Sequence, residues 1–126
     1  MDAAVRTALA TDGTIDITTV GARSGLPRRS EIWFLHFHGR TFITGTPGPR
    51  NWYSNLLAYD RFTFHLKEST VVDLAARAVP IVDEPTRRRV FAQPHRWNDW
   101  YLSEAPLDEL VSGAPMVEVV FDDDSR

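Results

Sequence analysis

The sequence predicts a mainly β domain, with about six strands closing or nearly closing into a small barrel and helices packed outside. Six segments are rich in β-branched or regularly alternating apolar residues. Most are joined by connections too short for a parallel crossover, which predicts antiparallel pairing. Helical periodicity is confined to three short stretches near 50–59, 83–93 and 95–104. No repeat, linker or low-complexity tract divides the 126 residues, so one domain over 1–126 is expected.

"TIDITTV" at 14–20 is β-branched and reads as the first strand. "RSEIWFLHFH" at 29–38 reads as one strand with Ile32, Phe34 and His36 on one face and Trp33, Leu35 and Phe37 on the other. A strand apolar on both sides is expected to be buried on both. "HGR" turns the chain into a third strand, "TFITG". In "RNWYSNLLAY", Trp52, Asn55, Leu56 and Tyr59 fall at i, i+3, i+4 and i+7, a short amphipathic helix. "RFTFHLK" alternates, predicting Phe62, Phe64 and Leu66 inward and Thr63, His65 and Lys67 outward; "KES" is the hairpin into "TVVDLAARAVPIV". Asp83 can cap and Pro85 open a helix through 83–93, whose Arg87, Arg88 and Arg89 are expected to be solvated. "HRWNDWYLSE" spaces Trp97, Trp100 and Tyr101 as one helix face, and "PMVEVVF" is the last strand.

Composition excludes several chemistries. There is no cysteine, hence no disulfide, thiolate nucleophile or Cys-ligated zinc. The four histidines lack metal-site spacing, and neither G-x-S-x-G, G-x-x-x-x-G-K-[ST] nor G-x-G-x-x-G occurs. No metal site is therefore assigned and a hydrolase is not expected. No apolar run reaches the roughly 20 residues of a membrane span. The first residues are too polar for a signal-peptide core, which predicts a cytoplasmic chain.

The net charge of −3 conceals an asymmetry. Five arginines and one acid lie between Gly21 and Asn51, whereas eight acids and no Lys or Arg lie between Trp97 and Ser125. The acidic end reads as solvated surface. A local basic patch on an acidic chain suits a small anionic ligand better than nucleic acid. The basic segment coincides with "GARSGLPR" at 21–28, far richer in glycine and arginine than a hairpin requires. Its glycines allow tight turns that bring backbone N–H groups near an anion, and its arginines offer forked charged contacts. Composition alone does not choose between that and a solvated loop. A second loop, "GTPGPRNWYSNL" at 45–56, also leaves a strand and enters a helix, with Gly48 and Arg50 before Trp52 and Tyr53.

"TTVGARSGLPR", then a buried strand, then "NWYSNLLA" and "VVDLAARAV" together resemble the deazaflavin-dependent nitroreductase family. Its members are split β-barrel proteins that bind coenzyme F420, within a superfamily shared with FMN-binding pyridoxamine-phosphate oxidases. The resemblance runs from Thr18 to Val79. Gly21, Ser24, Gly25 and Arg28 match the family's first loop, Arg23 replaces a usual lysine, and Ala22 replaces an arginine. Trp52, Tyr53, Asn55 and Leu56 match the second motif. That loop is shorter than usual, lacks the family's lysine near Thr46 and Pro47, and has Arg50 where a proline is common.

The resemblance implies an F420-dependent oxidoreductase passing hydride to a small planar electrophile such as a quinone, activated alkene or nitro compound. The cofactor would supply the difficult chemistry, and its phosphate and polyglutamate tail would need a basic groove. On that expectation Arg23, Ser24, Gly25 and Arg28 hold the anionic part, Gly48, Trp52 and Asn55 border the ring, and Arg50 binds the cofactor by replacing the charge of the missing lysine. Trp33, Trp97, Trp100 and Tyr101 face the substrate, with Tyr101 the candidate to donate a proton or orient it. A homodimer is implied. Two alternatives stand beside this: the same fold with FMN, and a carrier that binds an anionic ring compound without turning it over.

Overall fold

Residues Trp33 and Leu35 end and begin strands that lie at opposite edges of one sheet, with only Phe34 between them. A computed structural model describes residues 1–122, so the acidic residues 123–124 of the C-terminal end fall outside the described residues. The described chain runs α1 (Ala3–Thr11), β1 (Thr14–Val20), β2 (Pro27–Trp33), β3 (Leu35–Phe37), β4 (Arg40–Thr44), α2 (Asn51–Ala58), β5 (Arg61–Leu66), β6 (Val72–Pro80), α3 (Glu84–Ala92), α4 (Arg96–Glu104), α5 (Leu107–Gly113) and β7 (Met116–Phe121). The seven strands are ordered β2-β1-β5-β6-β7-β4-β3, every neighbouring pair antiparallel. Two edge strands joined by one residue force the sheet to curl on itself, because consecutive Cα atoms are only about 3.8 Å apart. The result is a barrel that is split where β2 and β3 part.

This corrects the single strand expected over 29–38. The two-faced burial is nonetheless present, because each face enters a different core. Ile32 and Phe34 join Ile15, Ile17, Ile43, Phe64 and Val117 inside the barrel. Trp33, Leu35 and Phe37 join Phe42, Phe91, Tyr101, Leu110 and Met116 in a second core beneath α3, α4 and α5. The backbone N–H of Phe34 donates to Gly13 O at 3.0 Å, which fixes the crossing point.

Asp83 caps α3 as expected, accepting from Thr86 N at 3.0 Å. Phe62, Phe64 and Leu66 are buried. Helix α1 was not foreseen, although Asp2 accepts from Val5 N at 2.9 Å and Val5, Ala8 and Leu9 follow at helical spacing. Helix α5 likewise had no sequence expectation. None of the helices among the described residues is long and apolar enough to cross a membrane.

Two side chains expected in solvent are buried. His65 lies in the sheet between Thr18 and Asp73, its Nε2 2.7 Å from Thr18 Oγ1 and its Nδ1 2.7 Å from Asp73 Oδ1. Arg87 turns inward while Arg88 and Arg89 remain on the helix surface. Its Nε donates to Val111 O at 2.6 Å, Nη1 to Ile81 O at 2.7 Å, and Nη2 to Ala114 O. One guanidinium thereby donates to carbonyls just past β6 and around the end of α5.

Arg87→Met is expected to lower unfolding free energy by about 3 kcal/mol, since buried carbonyls lose charged donors. Urea unfolding checks this, with Arg89→Ala expected within about 0.5 kcal/mol of wild type as the exposed control.

Candidate cofactor and substrate groove

The first candidate loop is a tight fold rather than an open turn. Gly21 N donates to Leu26 O at 2.8 Å and Gly25 N to Gly21 O at 2.9 Å. Gly25 adopts φ 69°, a left-handed conformation glycine takes without strain. A Cβ placed on Gly21 would stand 2.4 Å from Ser24 Oγ and 3.7 Å from Arg28 Nε. The bare Gly21 is therefore what lets the Ser24 hydroxyl and Arg28 guanidinium share one small space. Ser24 Oγ accepts from Leu26 N at 3.1 Å, leaving its own proton to donate.

Asn55 holds this loop against α2. Its Oδ1 accepts from Ala22 N at 2.9 Å and its Nδ2 donates to Thr19 Oγ1 at 3.0 Å, with the side chain buried. Both ends of the amide are thus occupied by the protein, and Asn55 positions the loop. The cleft between them, 530 Å³, is lined by Arg23, Ser24, Arg28, Arg29 and, from α2, Asn51 and Ser54. Arg29 donates to Asp16 Oδ2 at 3.0 Å, so its charge is already paired. Arg23 and Arg28 have no carboxylate partner among the described residues. Arg50 stands at the N-cap of α2 and makes no side-chain cap bond, leaving first-turn amides without that acceptor.

A second cleft of 400 Å³ adjoins the first, lined by Trp33, Trp52, Trp100, Tyr101, Arg50 and the strand-to-loop residues Thr44, Gly45 and Thr46. Successive β2 residues pass from one cleft to the other, Arg28–Ser30 into the basic one and Glu31–Trp33 into the aromatic one. The start of α2 does the same, Asn51 lining the first and Arg50 and Trp52 the second, so a basic and an aromatic cleft lie along the same two walls, called here the β2–α2 groove. Trp100 stands edge-on to Trp33, 5.3 Å between centroids at 87°, and is 43% exposed. Tyr101 is buried, and its hydroxyl donates to Thr44 O at 3.4 Å. Burial pushes its pKa up to about 12. It keeps its proton through the physiological range and suits orienting better than proton transfer.

Three of the expected residues do not line this groove: Gly25, which shapes the turn of the first loop, Trp97 and Gly48. Trp97 stacks on Trp33 at 3.8 Å and 6°, and its Nε1 donates to Gly13 O at 3.0 Å; it backs the wall without lining it. Gly48 lines a separate cleft of 700 Å³ with Tyr53, Arg88, Asp108 and Gly113. Asn51 and Ser54 were missed, though with Asn55 they fall at i, i+3 and i+4, a polar stripe beside the apolar one.

A seven-stranded antiparallel barrel split where β2 and β3 part is the fold of the pyridoxamine-phosphate-oxidase-like proteins. The chain belongs to the F420H(2)-dependent quinone reductase family, whose model matches residues 2–105. It is an F420-dependent oxidoreductase, with coenzyme F420 as its cofactor. Solved structures share the fold at low identity. A conserved hypothetical protein from Mycobacterium tuberculosis superposes with TM-score 0.73 at 18% identity, covering 97% of this chain and 81% of that one. An F420 reductase gives TM-score 0.64 at 19% identity, covering 92% and 91%. A putative pyridoxamine 5'-phosphate oxidase from Listeria innocua gives TM-score 0.68 at 11% identity, covering 94% and 90%. Among curated protein sequences none matches the chain.

The residues present fit an anionic ring cofactor: among the described residues Arg23 and Arg28 lack acid partners, Ser24 has a proton to give, and Gly21 carries no side chain between them. For Tyr101, the native state retains a proton between pH 10 and about 12 that the unfolded chain has lost. Its contribution to stability is complete below pH 10 and falls as pH rises, by about 1.4 kcal/mol per pH unit. Urea unfolding across pH 9–11 is expected to show this loss in wild type and a flatter profile in Tyr101→Phe.

Proposed function

We propose that this chain reduces a small planar electrophile, a quinone in the first instance, using F420 seated along the β2–α2 groove. The observation that carries the reading is that the basic and aromatic clefts share the same two walls, β2 and the start of α2. An elongated cofactor with an anionic end and a flat end matches that order. When bound, F420 supplies the hydride.

The chain's own residues bind and orient. Arg28 and Arg23 neutralise the phosphate with forked charged contacts, and Ser24 adds a hydroxyl donor. Asn55 keeps the loop that carries them closed against α2. Trp33 and Trp100 present an edge-to-face pair against which a flat acceptor packs beside the ring. Tyr101, held neutral with its proton on Thr44 O, packs its ring at the floor of the cleft behind the bound acceptor. Activated alkenes and nitro compounds share the planarity and electron deficiency of quinones and fall within the same proposal. We also take the chain to act as a homodimer, a reading supported by a solved neighbour described as a domain-swapped dimer.

Titration with F420 and FMN side by side tests the cofactor. Saturable quenching of the F420 fluorescence with at least tenfold weaker FMN binding is expected, and the opposite order would sink the reading. Arg28→Ala is expected to weaken F420 binding by about 1.5–3 kcal/mol, the scale of a lost charged hydrogen bond. Trp100→Ala is expected to change relative rates across a panel of quinones, enones and nitro compounds while F420 affinity stays within about twofold.

A further inference from the structure

We propose that Arg50 is a catalytic residue whose guanidinium receives the oxyanion formed on the acceptor as hydride arrives, and that it does not hold the cofactor's phosphate. The inference rests on the F420 reading of the groove and assigns a role within it.

Arg50 precedes α2, and its side chain folds back on its own loop. Nη2 donates to Thr46 Oγ1 at 2.7 Å and to Thr46 O at 3.2 Å, and Nη1 donates to Pro49 O at 3.0 Å. Gly48 makes the fold possible. It adopts φ 126°, and a Cβ there would lie 3.3 Å from Arg50 Nη1. A guanidinium carries five N–H groups, and these contacts use three. The Nε–H and the second Nη1–H have no acceptor among the described residues, and no carboxylate pairs with the charge.

The position of this cation is what assigns its partner. Arg50 lines the aromatic cleft with Trp33, Trp52, Trp100 and Tyr101, whereas the basic cleft is lined by Arg23, Arg28 and Arg29 and not by Arg50. Glu31, also at the aromatic cleft, is engaged by Lys67. Tyr101 spends its proton on Thr44 O. Among the described residues Arg50 is therefore the one cation lining the aromatic end, pinned by its loop and with two donors to spare.

The chemistry at that end needs such a group. The acceptor gains a hydrogen and two electrons as hydride supplied by reduced F420, one of its π bonds breaks, and the displaced pair comes to rest on oxygen. The proton released as the cofactor is oxidised reaches that oxygen through solvent, so the sum is F420H2 + A → F420 + AH2. A fixed guanidinium stabilises the phenolate or enolate without having to reorganise.

The test uses the F420-loaded protein with 4-nitrophenol as a probe, whose phenolate is read by its visible absorbance. Wild type is expected to bind the phenolate in preference to the phenol, lowering the probe's apparent pKa. Arg50→Met is expected to lose that preference and Arg50→Lys to keep part of it. With a soluble naphthoquinone, Arg50→Met is expected to lower kcat by about 10²-fold or more, with F420 affinity within about twofold of wild type. If Arg50→Met weakens F420 binding tenfold and leaves the phenolate preference intact, Arg50 is a cofactor ligand and the proposal is overturned while the F420 reading stands. If wild type binds no F420, the reading of the groove fails and takes the proposal with it.

Discussion

The buried amide of Asn55 is the contact on which the groove depends. One end accepts from Ala22 N and the other donates to Thr19 Oγ1, so a single side chain ties α2 both to the end of β1 and to the glycine-rich loop. These are hydrogen bonds shielded from water, where leaving either partner unmet costs about 1–3 kcal/mol. Fixing α2 there also fixes its start, and with it Arg50, Asn51 and Trp52. The cationic and aromatic ends of the groove are set by the same helix. Barrel closure at Phe34 supplies the other wall, because it makes β2 an edge strand and brings Trp33 under α4.

Size does not identify the site. The cleft of 700 Å³ beside Gly48 and Tyr53 exceeds either part of the groove. Its acids and exposed base are spent on one another, Arg88 pairing with both Glu84 and Asp108. Arg87, at its back, is fully committed to three carbonyls. The groove, by contrast, keeps Arg23, Arg28 and two N–H groups of Arg50 available. Uncommitted charge is the reason the proposal places the ligand in the groove and not in the larger hollow.

Much of this was legible in the sequence, and the gaps have physical causes. The excess of glycine and arginine at 21–28 marked the loop that lines the basic cleft, and alternation in "RFTFHLK" placed Phe62, Phe64 and Leu66 correctly. The break at Phe34 was invisible, because alternation runs through it unbroken and only closure of a distant strand order demands it. Arg87 looked solvated because its partners, Ile81, Val111 and Ala114, are brought together by β7 and α5. His65 looked outward for the same reason: the alternation is right about the face, but Thr18 and Asp73 cover it. At the site, the spacing of Trp97, Trp100 and Tyr101 gave a helix face, while the division between wall and backing came from the stacking of Trp97 on Trp33.

The central claim is that F420 lies along the β2–α2 groove with its anionic end in the Gly21 loop. A crystal structure of the protein with F420 bound measures this most directly. The account predicts the phosphate within hydrogen-bonding distance of Arg28 and Ser24 and the deazaflavin beside Trp33 and Trp100. A cofactor seated instead in the cleft lined by Gly48, Tyr53 and Arg88 would contradict it.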